Sequence, residues 1–220
     1  MKKIMHLNGF VMHSPMNHSV GSWLHPDSRV AESFSKPEIW QDMARTLERG
    51  KFDAIFFADT FAAYGNYRNR MDETLTHAIQ FPMHDPTLVI PMMAAVTKRL
   101  GYAVTLSLTY YQPYMAVRKL STLDHLTKGR IGWNIVTSTN VAEAVNLGLE
   151  KMIPHSERYE RANEYMEVCH KLWNSWEPDA VVADKKTGVF IDASKVHPIN
   201  HKGKWFSCPG ISAVEPSPQG

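Results

Sequence analysis

The sequence is poor in cysteine, has no long apolar run and carries no block of one charge. Its 220 residues include two cysteines, Cys169 and Cys208. That excludes the disulfide framework of a small secreted domain and makes a reducing, cytoplasmic setting the expectation. No stretch approaches the ~20 apolar residues of a membrane span. The opening Met1-Lys2-Lys3 has the charge of a signal-peptide start, but His6, Asn8, His13 and Asn17 interrupt any apolar segment behind it. The 24 Lys and Arg nearly cancel the 22 Asp and Glu, leaving +2, and no basic run reads as a nucleic-acid or membrane arm. Several motifs are missing as well: G-x-G-x-x-G after a strand, G-x-x-x-x-G-K-[ST], G-x-S-x-G, H-E-x-x-H and C-x-x-C. A dinucleotide site of the Rossmann type, a nucleoside triphosphate site and a hydrolase elbow therefore lack support.

What is present suits a folded α/β protein. Hydrophobic residues make up 44% of the chain, enough for one sizeable core. Residues 4–12 read as a first strand, followed by a His-containing polar loop to about residue 34. A helix then starts with Ser35, Pro37 and Glu38 in a capping-box pattern, buries a stripe of Ile39, Met43 and Leu47, and ends at Gly50. Residues 52–58 are almost wholly apolar, as expected of a strand buried on both faces. A polar connection, 60–85, leads to a second helix over 85–99. Pro91 either kinks that helix or sits in the first turn of a shorter one. A strand at 102–109, a helix at 114–128 stopped by Gly129, a strand at 131–136 and a helix at 156–173 complete four βα units. The alternation implies a parallel sheet with right-handed crossovers, either small and doubly wound or half of an eight-fold barrel. Residues 176–220, rich in Pro, Lys, Asp and His, read as an excursion with a β-hairpin near 189–191 and 204–206, set apart from a domain over 1–175.

In parallel α/β folds ligands bind beyond the carboxyl ends of the strands. Asp59 closes the second strand, and a carboxylate after such an apolar run needs a partner, a cap or a ligand. Thr105 and Ser107 lie on the third strand, where plain alternation would also put them. Asn134, between Trp133 and Ile135, is a buried amide in need of hydrogen-bond partners. His155 and Tyr159 are one turn apart at a helix start, which makes either an anion seat or a capping histidine beside a half-buried phenol. Met12 and Met16 suit a core or an apolar pocket. Of the eleven histidines, His6, His13, His18 and His25 come early, but their spacing fits no metal-ligand pattern.

The run Gly132-Trp133-Asn134-Ile135-Val136-Thr137-Ser138, within residues 122–138, resembles flavin-dependent monooxygenases of the bacterial-luciferase superfamily. The branch is that of nitrilotriacetate, dibenzothiophene-sulfone and long-chain alkane monooxygenases. Residues 45–53, 155–159, 171–176 and 194–197 carry the same resemblance, as does Pro216-Ser217-Pro218-Gln219-Gly220. It implies a TIM (β/α)8 barrel of which about four βα units are present, and an enzyme that uses reduced FMN and O2 to oxygenate a small organic molecule. Reduced FMN would come from a separate NAD(P)H:flavin reductase. The positions matching the family's FMN contacts are Asp59, Thr105, Asn134, His155 and Tyr159. Tyr64 and Gln80 match pocket residues of the alkane branch, and Ser14 and Asn17 stand where that branch has Cys and His. The sulfone, alkane and aminopolycarboxylate classes all stay open as substrates.

Eight strands close such a barrel and this chain supplies four, so a fragment, a homo-oligomer or a complementary second-half chain is expected. Two other readings stand beside the enzyme: an inactive half-barrel serving binding or assembly, and a metal-dependent barrel hydrolase built on the early histidines.

Overall fold

The computed structural model describes residues 5–18, 20–65 and 67–219. Met1-Lys2-Lys3, the start of the first expected strand at Ile4, and Gly220 of the last motif lie outside them. In chain order the elements are β1 (Asn8–Met12), α1 (Val30–Ser33), α2 (Pro37–Arg49), β2 (Ala54–Ala58), α3 (Asp72–Thr76), α4 (Ile90–Ala94), β3 (Gly101–Ser107) and α5 (Pro113–Thr127). They continue with β4 (Ile131–Val136), α6 (Val141–Asn146), α7 (His155–Trp173), β5 (Val181–Asp184), β6 (Val189–Ile191), β7 (His201–Lys202) and β8 (Ser207–Cys208). Strands β1 to β4 form one parallel sheet in the order β1-β2-β3-β4, as the βα alternation required. The chain divides into two compact units. One holds residues up to Leu106 with Arg130–Asn134 and Ser138–Met152; the other holds Ser107–Gly129, Ile135–Thr137 and the chain from Ile153 onward.

In the first unit the strand pleat sorts residues by face. Val11, Ile55, Phe57, Tyr102, Val104 and Leu106 are buried, and Trp40 of α2 packs on Phe57. Each fully buried side chain of this kind contributes roughly 1.5–3 kcal/mol. Of the alternate positions, Phe10, Phe56, Ala58 and Ala103 are less covered, while Met12, Thr105 and Ser107 are buried. Phe10 stacks on Phe56 with ring centroids 5.5 Å apart, and Phe56 stands level with Ala103. β2 is thus fully buried on one face only, because its apolar run alternates between a helix-packed side and a half-open one.

Several local expectations change. Lys36, not Ser35, occupies the N-cap of α2, and its side chain makes no capping bond, so the expected capping box does not form. Pro91 sits in the first turn of α4, after a separate 3-10 turn at Pro86–Leu88, so the helix begins late rather than kinking. The Glu48 carboxylate accepts from the N–H groups of Lys98, Arg99 and Leu100 at 2.8, 2.6 and 3.1 Å, which fixes the turn into β3.

In the second unit α5 stops where Lys128 and Gly129 take left-handed conformations, φ 58° and 77°. α7 buries Tyr165, Val168, Cys169 and Leu172, and Trp173 Nε1 donates to Ser121 Oγ of α5 at 3.2 Å. The tail folds into two hairpins instead of one: β5 pairs with β6, and β7 with β8. The second hairpin is seated on Glu164 of α7, whose carboxylate accepts from the N–H groups of Lys204, Trp205 and Phe206. The Pro216-Ser217-Pro218-Gln219 segment returns to α5. There Ser217 Oγ and Gln219 Nε2 both donate to the buried Asp124 carboxylate.

Candidate functional site

Two groups of candidate residues lie in the first unit. Thr105 and Asn134 come together because β3 and β4 run side by side with these residues on the same face. Asn134 Nδ2 donates to Thr105 Oγ1 at 2.9 Å, and that hydroxyl donates to the Phe57 carbonyl at 2.8 Å. Asn134 is half-buried, so its amide group is held in one orientation at the sheet surface. The neighbouring positions are small: a Cβ built at Gly132 would lie 3.7 Å from that of Ala103. The result is a shallow floor with a fixed amide along one side.

Asp59 follows β2 directly. Its Oδ1 accepts from the Thr60 N–H at 2.8 Å, so it closes the strand with a local turn. It also lines a cavity of about 200 Å³ with Thr60, Phe61, His84 and Asp85. Behind this turn stands Glu143 of α6, 4% exposed. Its Oε1 accepts from Thr60 Oγ1 at 2.6 Å and from the Phe61 N–H at 2.9 Å.

The other group surrounds the loop after β1. Ser14 is 1% exposed, and its hydroxyl has no hydrogen-bond partner among the described residues. With Asn17, Met12, Met16 and Trp40 it lines a cavity of about 150 Å³. Asn17 also has a backbone role, since its Oδ1 accepts from the Met12 N–H at 2.7 Å. Gln80 is buried with φ 52° and pairs with the His18 ring. Tyr64 is half-buried, and its carbonyl accepts from Thr74 Oγ1 at 2.6 Å. His13 packs edge-on against Trp40 and His84. Burial, followed by the neighbouring His84, lowers its pKa, although contacts to the Asp85 and Phe34 carbonyls oppose the shift. His6 pairs with Asp53, and His25 with Asp27. Among the described residues no group of three or more His, Cys, Asp or Glu side chains is placed to hold a metal ion.

His155 and Tyr159 belong to the second unit. They open the 19-residue α7, with ring centroids 4.7 Å apart. Both are exposed, Tyr159 by 53%, and Pro154 rather than His155 is the N-cap. Between them Arg158 is buried and donates to the Ile153 carbonyl at 2.6 Å. An exposed imidazole and phenol beside the free N–H groups of a long helix are suited to an anionic group.

Sequence reading overlooked Glu143 and α6. The signal was there: Asn140 followed three residues later by Glu143 is a helix-start pattern, and Asn140 Oδ1 accepts from the Ala142 N–H at 3.0 Å.

A parallel sheet of four strands in βα alternation is the architecture of one half of a TIM barrel. The chain belongs to the luciferase-like monooxygenase family, which matches residues 18–219. It is 51% identical to dimethyl-sulfide monooxygenase from Hyphomicrobium sulfonivorans over its whole length, covering 46% of that protein. The crystal structure of a long-chain alkane monooxygenase superposes on 99% of this chain and 50% of its own, with TM-score 0.95 at 46% identity. A riboflavin lyase crystallised with modified FMN and riboflavin matches 98% of this chain and 48% of its own, with TM-score 0.90 at 33% identity. The chain thus spans about half the length of the relatives it matches. No helix among the described residues is long and apolar enough to cross a membrane.

Proposed function

We propose that this chain supplies the first four βα units of a cytoplasmic FMN-dependent monooxygenase that oxygenates a small organic molecule, with reduced FMN delivered by a separate NAD(P)H:flavin reductase. The observation that carries the reading is whole-length identity at 51% to a monooxygenase of this family. The modified FMN in the crystal structure of the 33% identical riboflavin lyase supports the choice of cofactor. No G-x-G-x-x-G occurs in these residues, which suits a flavin reduced elsewhere.

The residues present fit the group. The Thr105–Asn134 pair offers an immobile amide over a floor of small residues, suited to the edge and face of a planar ring. Asp59 would contact the cofactor from the end of β2. His155 and Tyr159, at a helix start, have the chemistry for its phosphate. Reduced FMN, when bound, supplies the electrons that activate O2. The protein's task is to orient the ring, hold the phosphate and keep water out with apolar walls. Ser14, Asn17, Tyr64 and Gln80 are proposed to line the substrate pocket. The 150 Å³ cavity beside Ser14 and Asn17, with Met12, Met16 and Trp40 on its walls, supports an apolar substrate of a few heavy atoms.

An anaerobic titration with reduced FMN, followed by fluorescence, tests this. Saturable binding is expected, weakened by Asp59→Ala and by Tyr159→Phe with no change in unfolding midpoint. Identical titration curves for both variants and the parent would refute the site.

A further inference from the structure

Glu143 is a buried carboxylate that the proposed chemistry does not use. A carboxylate removed from water must be compensated by hydrogen bonds or neutralised. Here both compensating bonds fall on one oxygen, Oε1, and both donors come from the turn after β2: Thr60 Oγ1 at 2.6 Å and the Phe61 N–H at 2.9 Å. The same segment reaches this turn twice more, at longer range. Asn140 Nδ2 approaches the Ala62 carbonyl and Asn146 Nδ2 the Phe61 carbonyl, each at 3.5 Å. α6 has six residues, too short to be stable by itself, so these attachments and its Asn140 cap define it. A connection just past a strand end is otherwise among the more mobile parts of a fold. Asp59 is joined to the gripped stretch through its bond to the Thr60 N–H, and Thr60 and Phe61 share a cavity wall with it.

We propose that Glu143 is a positioning residue for the cofactor site: it ties the loop after β4 to the turn after β2 and thereby fixes where Asp59 points. The inference rests on the reading that Asp59 contacts the cofactor. Glu143 touches no reacting group. It acts through Thr60 and Phe61.

Three variants test it: Glu143→Ala, Glu143→Gln and Thr60→Val, with Asp59→Ala as reference. Two readouts are needed, reduced-FMN affinity under anaerobic titration and hydrogen exchange at the Phe61 amide. Glu143→Ala should weaken FMN binding on the order of tenfold, equivalent to about 1.4 kcal/mol, and should accelerate Phe61 exchange. Glu143→Gln should stay near the parent in both, because one amide oxygen can accept both bonds. Thr60→Val removes one of the two bonds and should fall between, and it decides the matter if Glu143→Ala does not fold. Faster Phe61 exchange with unchanged FMN affinity would make Glu143 structural only and overturn the proposal. If Asp59→Ala leaves binding intact, or the parent binds no reduced FMN, the cofactor-site reading fails and this inference falls with it. Loss of affinity in Asp59→Ala but not in Glu143→Ala would sink the positioning role alone.

Discussion

The seat of the second hairpin should not tolerate a methyl group at position 203. A Cβ built on Gly203 would overlap Oε1 and Cδ of Glu164 and lie 2.9 Å from Oε2. The carboxylate is the end of a flexible side chain, so it would swing away rather than force the backbone apart. In doing so it would leave the N–H groups of Lys204, Trp205 and Phe206, held at 3.0, 3.1 and 2.8 Å, and the His201 ring at 3.2 Å. Hydrogen bonds to a charged group are worth ~1.5–3 kcal/mol each, but water can replace those on the exposed side of the turn. Alanine also stiffens the unfolded chain, returning about 0.4–1 kcal/mol. The net loss for Gly203→Ala should be about 2 kcal/mol, read as a lower urea midpoint by tryptophan fluorescence. pH gives a second readout. Burial works to raise the Glu164 pKa, but the Phe206 N–H, the His201 ring and the other amides outweigh it and hold the group below its ordinary 4.5. A depressed carboxylate stabilises the fold above its unfolded pKa, and that contribution is lost as pH falls through the folded value. The gap between parent and Gly203→Ala should therefore be full at neutral pH, begin to narrow below the ordinary 4.5 and close as the pH falls through the depressed folded value. An equal or higher midpoint for Gly203→Ala at neutral pH would refute the reasoning.

Three other outcomes follow from the packing. Glu48→Ala deprives three successive N–H groups of their shared acceptor and should cost about 2 kcal/mol by urea unfolding, with Glu48→Gln intermediate. Cys169 is buried and its thiol is pushed up to about 12 by that burial, whereas Cys208 is half-buried. A thiol reagent at about pH 8, near the usual cysteine pKa of about 8.5, should label Cys208 alone in the native protein and both cysteines in denaturant. Asp124→Ala removes the acceptor of Ser217 and Gln219. It should make the chain near Pro216 sensitive to limited proteolysis while hydrogen exchange in β1–β3 stays unchanged.

Much of the sheet was legible because apolar periodicity and breakers act locally. β4 falls on residues 131–136 as read, and Gly129 stops α5 through its positive φ. Pro91 marks a helix start, a place where its missing N–H costs nothing. The misreadings share a cause. Ser35 had the right neighbours for a capping box, but the chain enters α2 one residue later, at Lys36. The tail was assigned one hairpin because turn residues do not specify which short strand pairs with which. β7 and β8 are two residues each and persist by docking on Glu164.

The candidate site divides the same way. Asp59, Thr105, Asn134, His155 and Tyr159 were recognisable from sequence as polar residues within a strand, just after one or at a helix start, positions that the βα repeat sets locally. That Asn134 donates to Thr105, or that Ser14 buries its hydroxyl beside a cavity, depends on strand register and on loops folding back. Glu143 shows the limit most clearly. Its sequence neighbourhood announces a helix start, yet its partners are 83 and 82 residues away. Local preference fixes which elements form and which residues stand at their ends. Contacts between residues so far apart, whose energies appear only once the sheet is assembled, decide what those ends hold in place.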